Sequence, residues 1–200
     1  MSYDTLTARA PKGDLPGFTA FLRAELCDFW LAHYWQNCER ATCIVEVDIG
    51  TFVYVYDQVS DLVKKGVLPS DPFIPDRLVG VYGTSAPPVE TREKSRIRNW
   101  VAPTEEYYGK GRDKGHAIGR ALGGGAHGPG INTWDQERAL NRGWSERGRV
   151  FRKMEKYCAQ NPGTFCFTRA RYVDQKSKPK ALEFGIAMPD CSLWVEEFEN

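Results

Sequence analysis

The stretch from Gly111 to Asn141 constrains this chain most, because three different backbone habits follow one another within it. Arg112-Asp113-Lys114-Gly115-His116 is short enough for a strand, and a period of two puts Lys114 and His116 on one face with Asp113 and Gly115 on the other. A cation beside His116 favours the neutral imidazole, which can then accept a proton near neutral pH. From Gly123 to Gly130 five glycines accompany His127 and Pro129, which reads as a loop. That run lacks the Lys-Ser/Thr ending of a P-loop and the glycine spacing of a dinucleotide fold. A helix is then expected to begin near Thr133 or Asp135 as N-cap and to run through Asn141, with Asn132 ahead of it.

Before this stretch, apolar and aromatic residues from Phe18 to Tyr34 recur at steps of three and four, so Gly17 to Asn37 predicts a helix with a broad aromatic face. His33 lies on that face and reads as a boundary histidine. Thr42 to Asp48 reads as a strand, and Gly50 to Lys65 starts β-like and ends with helical spacing before Gly66. Prolines crowd the interval from Leu68 to Pro88. They lack a donor and disfavour helix in the residue before them, so a connector with at most one edge strand, Leu78 to Tyr82, is expected there. The chain is accordingly divided into an acidic N-terminal region, 1–90, of unknown role and a second region, 91–200. Arg92 to Val101 reads as a strand with Arg96, Arg98 and Trp100 along one side.

Charge separates the same two regions. Residues 1–90 carry 7 Lys/Arg against 12 Asp/Glu, whereas residues 91–200 carry 20 against 14. A cationic surface beside a base suits a polyanionic substrate. With 42% apolar residues, six Trp and ten Phe there is enough material for a core, and no apolar run is long enough to span a membrane. The N-terminus has no apolar segment after a basic start, so a cytoplasmic protein without a classical signal peptide is expected. The six cysteines show no C-x2-C pair of a zinc site and read mainly as buried thiols; Cys158 and Cys166 flank a turn-like Asn161-Pro162-Gly163 and are the pair able to join under oxidising conditions.

The order Asp113-Lys114-Gly115-His116, then Asn132, Gln136 and Asn141-Arg142-Gly143, then Phe151, Met154 and Glu155, resembles the DNA/RNA non-specific endonucleases of the ββα-metal (His-Me finger) class, especially their polymorphic-toxin branch. The likeness covers roughly Arg92 to Met188. It implies an α+β fold, with a ββα-metal nuclease core in 91–200 and a helix-containing α+β region before it. It further implies His116 as general base, Asn141 as direct ligand of Mg²⁺ or Mn²⁺, and Asn132 and Gln136 beside the site. Lys114 stands where that family commonly has arginine. Lys114, Arg98 and Arg120 would offset developing charge, Asp113 flanks them, and Arg96 and Arg142 would hold the substrate. The implied partners are DNA or RNA and an inhibitory (immunity) protein, with delivery to a target cell and no membrane association. A nucleic-acid-binding module without catalysis is the alternative.

The segment Trp144 to Val150 is inserted relative to that pattern. On a straight helix Glu146 would face ~140° away from Asn141, and Glu155 would lie ~21 Å along the axis. A break bracketed by Gly143 and Gly148 is therefore expected, returning Glu155 and not Glu146 toward the metal.

Overall fold

The computed structural model describes residues 2–38, 42–67, 76–88, 109–125, 132–174 and 177–200. Helices α1 (Tyr3–Thr7) and α2 (Leu15–Asn37) lead into strands β1 (Ile44–Ile49) and β2 (Phe52–Asp57), the short helix α3 (Val59–Lys64) and β3 (Arg77–Thr84). A second group follows: β4 (Arg112–His116), a 3₁₀ turn at Arg120–Leu122, β5 (Thr133–Glu137), α4 (Arg138–Arg142) and α5 (Glu146–Gln160). Strands β6 (Phe165–Arg171), β7 (Ala181–Ala187) and β8 (Leu193–Glu199) close the chain. The fold is thus mixed α+β. Among the described residues no helix is long and apolar enough to cross a membrane.

Six strands form one antiparallel sheet in the order β1-β2-β3-β6-β7-β8, and β4 and β5 form a separate antiparallel pair. Alternation assigns the two faces of the large sheet. Gly80, Tyr82, Phe167 and Gly185 point to α2, where the Trp30 ring meets Tyr82 at 5.9 Å and Phe167 at 5.5 Å. Phe184 and Phe198 point to the other face, where both meet Phe151 of α5 edge-on at 5.4 and 5.2 Å. Phe18, Leu22, Leu26, Trp30 and Tyr34 are buried, as the spacing in α2 predicts. His33 is half-buried, with Nδ1 at 3.3 Å from the Asn37 amide.

Two expectations change here. The strand expected at an edge, Leu78 to Tyr82, is part of β3, which lies between β2 and β6. The prolines fall outside it, Pro75 before and Pro87 and Pro88 after, so every ladder donor inside the strand survives. Moreover, β3 belongs to 1–90 and β6 to 91–200, so the proposed division cuts one sheet and one core, and a fragment 91–200 would leave β6 paired with β7 but without β3. The β4–α5 group is inserted between these two adjacent strands. Its base is tied by Ser85 N–H to Thr164 O (2.8 Å), Gly163 N–H to Ser85 O (2.8 Å) and Ala86 N–H to Leu122 O (2.9 Å). Arg96, Arg98, His127 and the strand expected over Arg92 to Val101 lie outside the described residues.

All six cysteines are free thiols, and Cys27, Cys38, Cys158 and Cys166 are buried. A hydrogen bond with Cys158, followed by burial, pushes the Cys166 thiol well above its ordinary range, so Cys166 is not disposed to act as a thiolate nucleophile.

Candidate functional site

Strand β4 lies antiparallel to β5 with Asp113 opposite Gln136, Gly115 opposite Trp134 and His116 opposite Thr133. Cross-strand partners share a face, so Asp113 and Gly115 lie with Trp134 and Gln136, and Lys114 and His116 lie together on the other side. His116 is exposed and Lys114 half-buried, as the period of two predicts. Burial lowers the Lys114 ammonium below its ordinary range. Arg120 opens the 3₁₀ turn four residues beyond His116 and is exposed.

The helix expected from Thr133 or Asp135 begins only at Arg138. Asp135 cannot cap it, because its carboxylate holds Arg112 Nε at 2.5 Å in a buried ion pair. Glu137 does so instead, accepting from Ala139 N–H (2.9 Å) and Leu140 N–H (2.6 Å). Thr133 and Trp134 are good strand formers, and the ladder to β4 decides the outcome.

Asn132 and Gln136, expected to face the substrate, are buried at 2% and 0% exposure. Asn132 spends its whole amide on the loop after His116: Oδ1 accepts from Ile118 N–H (2.8 Å), and Nδ2 donates to Ile118 O (2.8 Å) and Gly125 O (3.2 Å). Ala117, inside that loop, also accepts from Thr168 Oγ1 at 2.9 Å, which fixes the loop to the sheet. Asn132 is therefore a positioning residue. Gln136 lies against Gly115, where an added Cβ would come within 2.6 Å of the Gln136 Cβ, and neither amide atom of Gln136 finds a hydrogen bond among the described residues.

The structure does gather Asp113, Arg138, Asn141 and Arg142. The Asp113 carboxylate accepts from Arg138 Nε (3.0 Å), Asn141 Nδ2 (3.1 Å), and Arg142 Nε (2.7 Å) and Nη2 (3.0 Å). Burial alone would raise its pKa, but the hydrogen bonds from Arg142, Asn141 and Arg138 outweigh that and hold it below the usual carboxylate range. Donation of Nδ2 to Asp113 fixes the orientation of the Asn141 amide. Arg138 was not foreseen. Its spacing from Asn141 and Arg142 on one helical turn becomes meaningful only once Asp113 is known to lie against that turn.

The expected break after Asn141 is present but narrower. Gly143 ends α4 in the left-handed region (φ 71°), and Ser145 caps α5 by accepting from Gly148 N–H at 2.9 Å. Gly148 lies inside the first turn of α5 and does not mark a break. It is needed for contact, since a Cβ there would meet Ala139 O at 2.6 Å, where α5 crosses α4. Glu146 is consequently exposed at the start of α5, while Glu155 is turned inward with 12% of its side chain exposed. Its Oε2 accepts from Arg152 Nη1 at 2.6 Å, and its Oε1 lies where a Cβ on Gly119 would be 2.5 Å away. Glu155 thus reaches the loop that follows His116, and Glu146 does not.

Burial raises the Glu155 carboxyl above its ordinary range, against the lowering influence of Arg152. A raised carboxyl pKa means that its contribution to stability is complete below the unfolded value and is lost as pH rises through the folded one. Glu155→Gln is therefore expected to raise Tm at pH ~8, by about 2–4 °C for each ~1 kcal/mol recovered. The gain should fade toward pH ~4, where the carboxyl is largely protonated in both states. Thermal unfolding of both proteins across that range checks this, and a Tm lowered at pH ~8 would show that the Arg152 pair outweighs burial.

Among the described residues no group of three or more His, Cys, Asp or Glu side chains gathers as a metal site. A cation at this place would rest on the Asn141 oxygen and water, with Glu155 as the acidic group on the neighbouring helix, a donor set that suits a hard ion retaining most of its hydration.

Comparison with known protein families and with characterised proteins finds no match to this sequence.

Proposed function

We propose that this chain is a metal-dependent endonuclease that hydrolyses phosphodiester bonds of DNA or RNA with little base preference, built on a ββα core of the kind its Asp-Lys-Gly-His motif implies. The observation that carries this reading is the grip of Asp113 on Asn141 Nδ2 (3.1 Å), at the start of the strand that ends in exposed His116. A carboxylate saturated by three donor side chains is not itself a ligand or base. It is a device for holding an amide in one orientation, three residues along the strand from a histidine.

In this reading His116 takes the proton of the attacking water, and its place at a strand end, open to solvent, leaves room for a phosphodiester. Lys114 on the same face and Arg120 beyond the loop supply positive charge for the phosphoryl oxygens. Asn132 keeps the backbone after His116 in place, and Asn141 with Glu155 would hold the divalent ion. Mg²⁺ or Mn²⁺, when bound, polarises the phosphate and steadies the leaving oxygen.

Incubation of plasmid DNA and of structured RNA with the protein tests the proposal. Cleavage is expected with Mg²⁺ or Mn²⁺ and is expected to stop with EDTA. Cleavage undiminished by EDTA would remove the metal, binding without cleavage would leave only a nucleic-acid-binding module, and neither binding nor cleavage would overturn the reading altogether.

A further inference from the structure

Trp144 is 62% exposed, an unusual cost for the largest apolar side chain, and it stands in the inserted segment between α4 and α5. It is also firmly mounted. It follows directly on the left-handed Gly143 cap, and its own N–H donates to Ala139 O at 2.8 Å. The Arg142 guanidinium carbon lies 4.9 Å from its ring centroid, and Arg142 is itself clamped through Nε and Nη2 to Asp113. One side of the indole is thus stacked by a fixed cation, and the rest faces solvent.

The position of this ring follows from a short series of contacts. Arg152 reaches back to Gly143, where a Cβ would lie 3.0 Å from its Cγ; Arg152 holds Glu155; and Glu155 lies on Gly119, three residues after His116. The turn carrying Trp144 and the loop following His116 are therefore joined by two side chains of α5. Arg142 lies beside the ring and Arg152 against Gly143, the residue before it; they are 46% and 50% exposed, and Arg142 Nη1 carries no hydrogen bond among the described residues.

We infer that Trp144 is a stacking platform for an unpaired nucleobase of the substrate strand, with Arg142 and Arg152 taking the adjoining phosphates, so that the site favours single-stranded nucleic acid. The inference rests on the proposed function and names its substrate class. An indole accepts any base on its face for about 1–3 kcal/mol, and guanidinium groups match phosphate oxygens in geometry and charge. Within a duplex both faces of a base are already covered, and exposing one costs a few kcal/mol, which is of the same size as the stacking gain. Trp35 provides the contrast. It is 53% exposed, but it belongs to α2, on the opposite face of the large sheet.

The test uses full-length protein carrying His116→Ala, so that bound strands are not cut, titrated against labelled short single-stranded DNA, single-stranded RNA and duplex DNA. Adding Trp144→Ala should weaken single-strand binding by ~5- to 100-fold, the range that corresponds to one lost stacking contact, and change duplex binding by less than ~2-fold. Trp144→Phe should recover most of the loss, and Trp35→Ala should cause none. The DNA and RNA arms show which strand the platform serves. Equal effects of Trp144→Ala on single strands and duplex, or no effect on either, would overturn the platform and leave the nuclease reading intact. A His116→Ala parent that binds no nucleic acid would overturn both.

Discussion

Replacing His116 with alanine is expected to slow phosphodiester hydrolysis by ~10²- to 10⁴-fold, the usual scale for losing a general base. Folding should be untouched, because the side chain is exposed at the end of β4 and the backbone after it is held by Asn132 and Thr168. An exposed side chain away from the core usually contributes within ~0.5 kcal/mol, so the Tm should barely move. Single-turnover cleavage of a labelled strand measures the rate. Added imidazole should restore part of it in the variant, a response that a merely structural histidine would not give. Cleavage at the wild-type rate would remove His116 from the chemistry and the mechanism with it.

The elements that the sequence makes legible are those whose pattern is local. The aromatic stripe of α2, the β character of the segments that form β1 and β2, the switch to helical spacing at α3 and the alternation of Lys114 and His116 all follow from residues a few positions apart, and the structure has each of them. Strand β5 escapes because its evidence lies elsewhere in the chain. Thr133 and Asp135 are plausible helix caps until Arg112, 23 residues away, claims the Asp135 carboxylate. The prolines around β3 suggest an edge because no local signal reports that β6 will lie beside it; the pairing of Gly80 with Arg169 is a purely tertiary event. That pairing is also why an acidic and a basic half share one core.

Within the site, residue type alone misplaces the amides. Asn132 and Gln136 look like surface residues turned toward a substrate, but a glycine-rich loop has unpaired backbone donors and acceptors that something must satisfy, and Asn132 meets that need. Gln136 is buried for another reason: Gly115 opposite Trp134 leaves a gap that its side chain fills. That Glu155 turns inward while Glu146 stays exposed was readable only in part: Gly143 ends α4 as expected, but Gly148, expected to bound the break, lies inside α5. Arg152, the partner of Glu155, stands three residues before it on the same helical face and could have been found from that spacing.

The largest structural effect is expected from Asp113→Ala. The carboxylate has 10% of its side chain exposed and is the acceptor for four hydrogen bonds from Arg138, Asn141 and Arg142, so its loss takes the charged acceptor from two guanidinium groups and frees the Asn141 amide proposed to hold the metal. Breaking a buried pair by removing one partner costs about 3–5 kcal/mol. Arg142 is nearly half exposed and water will screen it, which brings the expected loss to about 2–4 kcal/mol. For a chain of this length that is a fall in Tm of roughly 5–15 °C. Asp113→Asn separates charge from shape, since it keeps one acceptor oxygen and fills the same space. The folded carboxyl is held below its ordinary range, so its stabilisation is present above the unfolded pKa and is lost as pH falls through the folded one. The gap in Tm between wild type and Asp113→Asn should therefore be full at pH ~7 and close below pH ~4. At pH ~7, well below its melting temperature, Asp113→Asn should also need more Mg²⁺ for half-maximal cleavage, because Asn141 is no longer fixed by a charged acceptor. A gap that persists unchanged at low pH would assign the role of Asp113 to packing, and an unchanged Mg²⁺ requirement would separate it from Asn141.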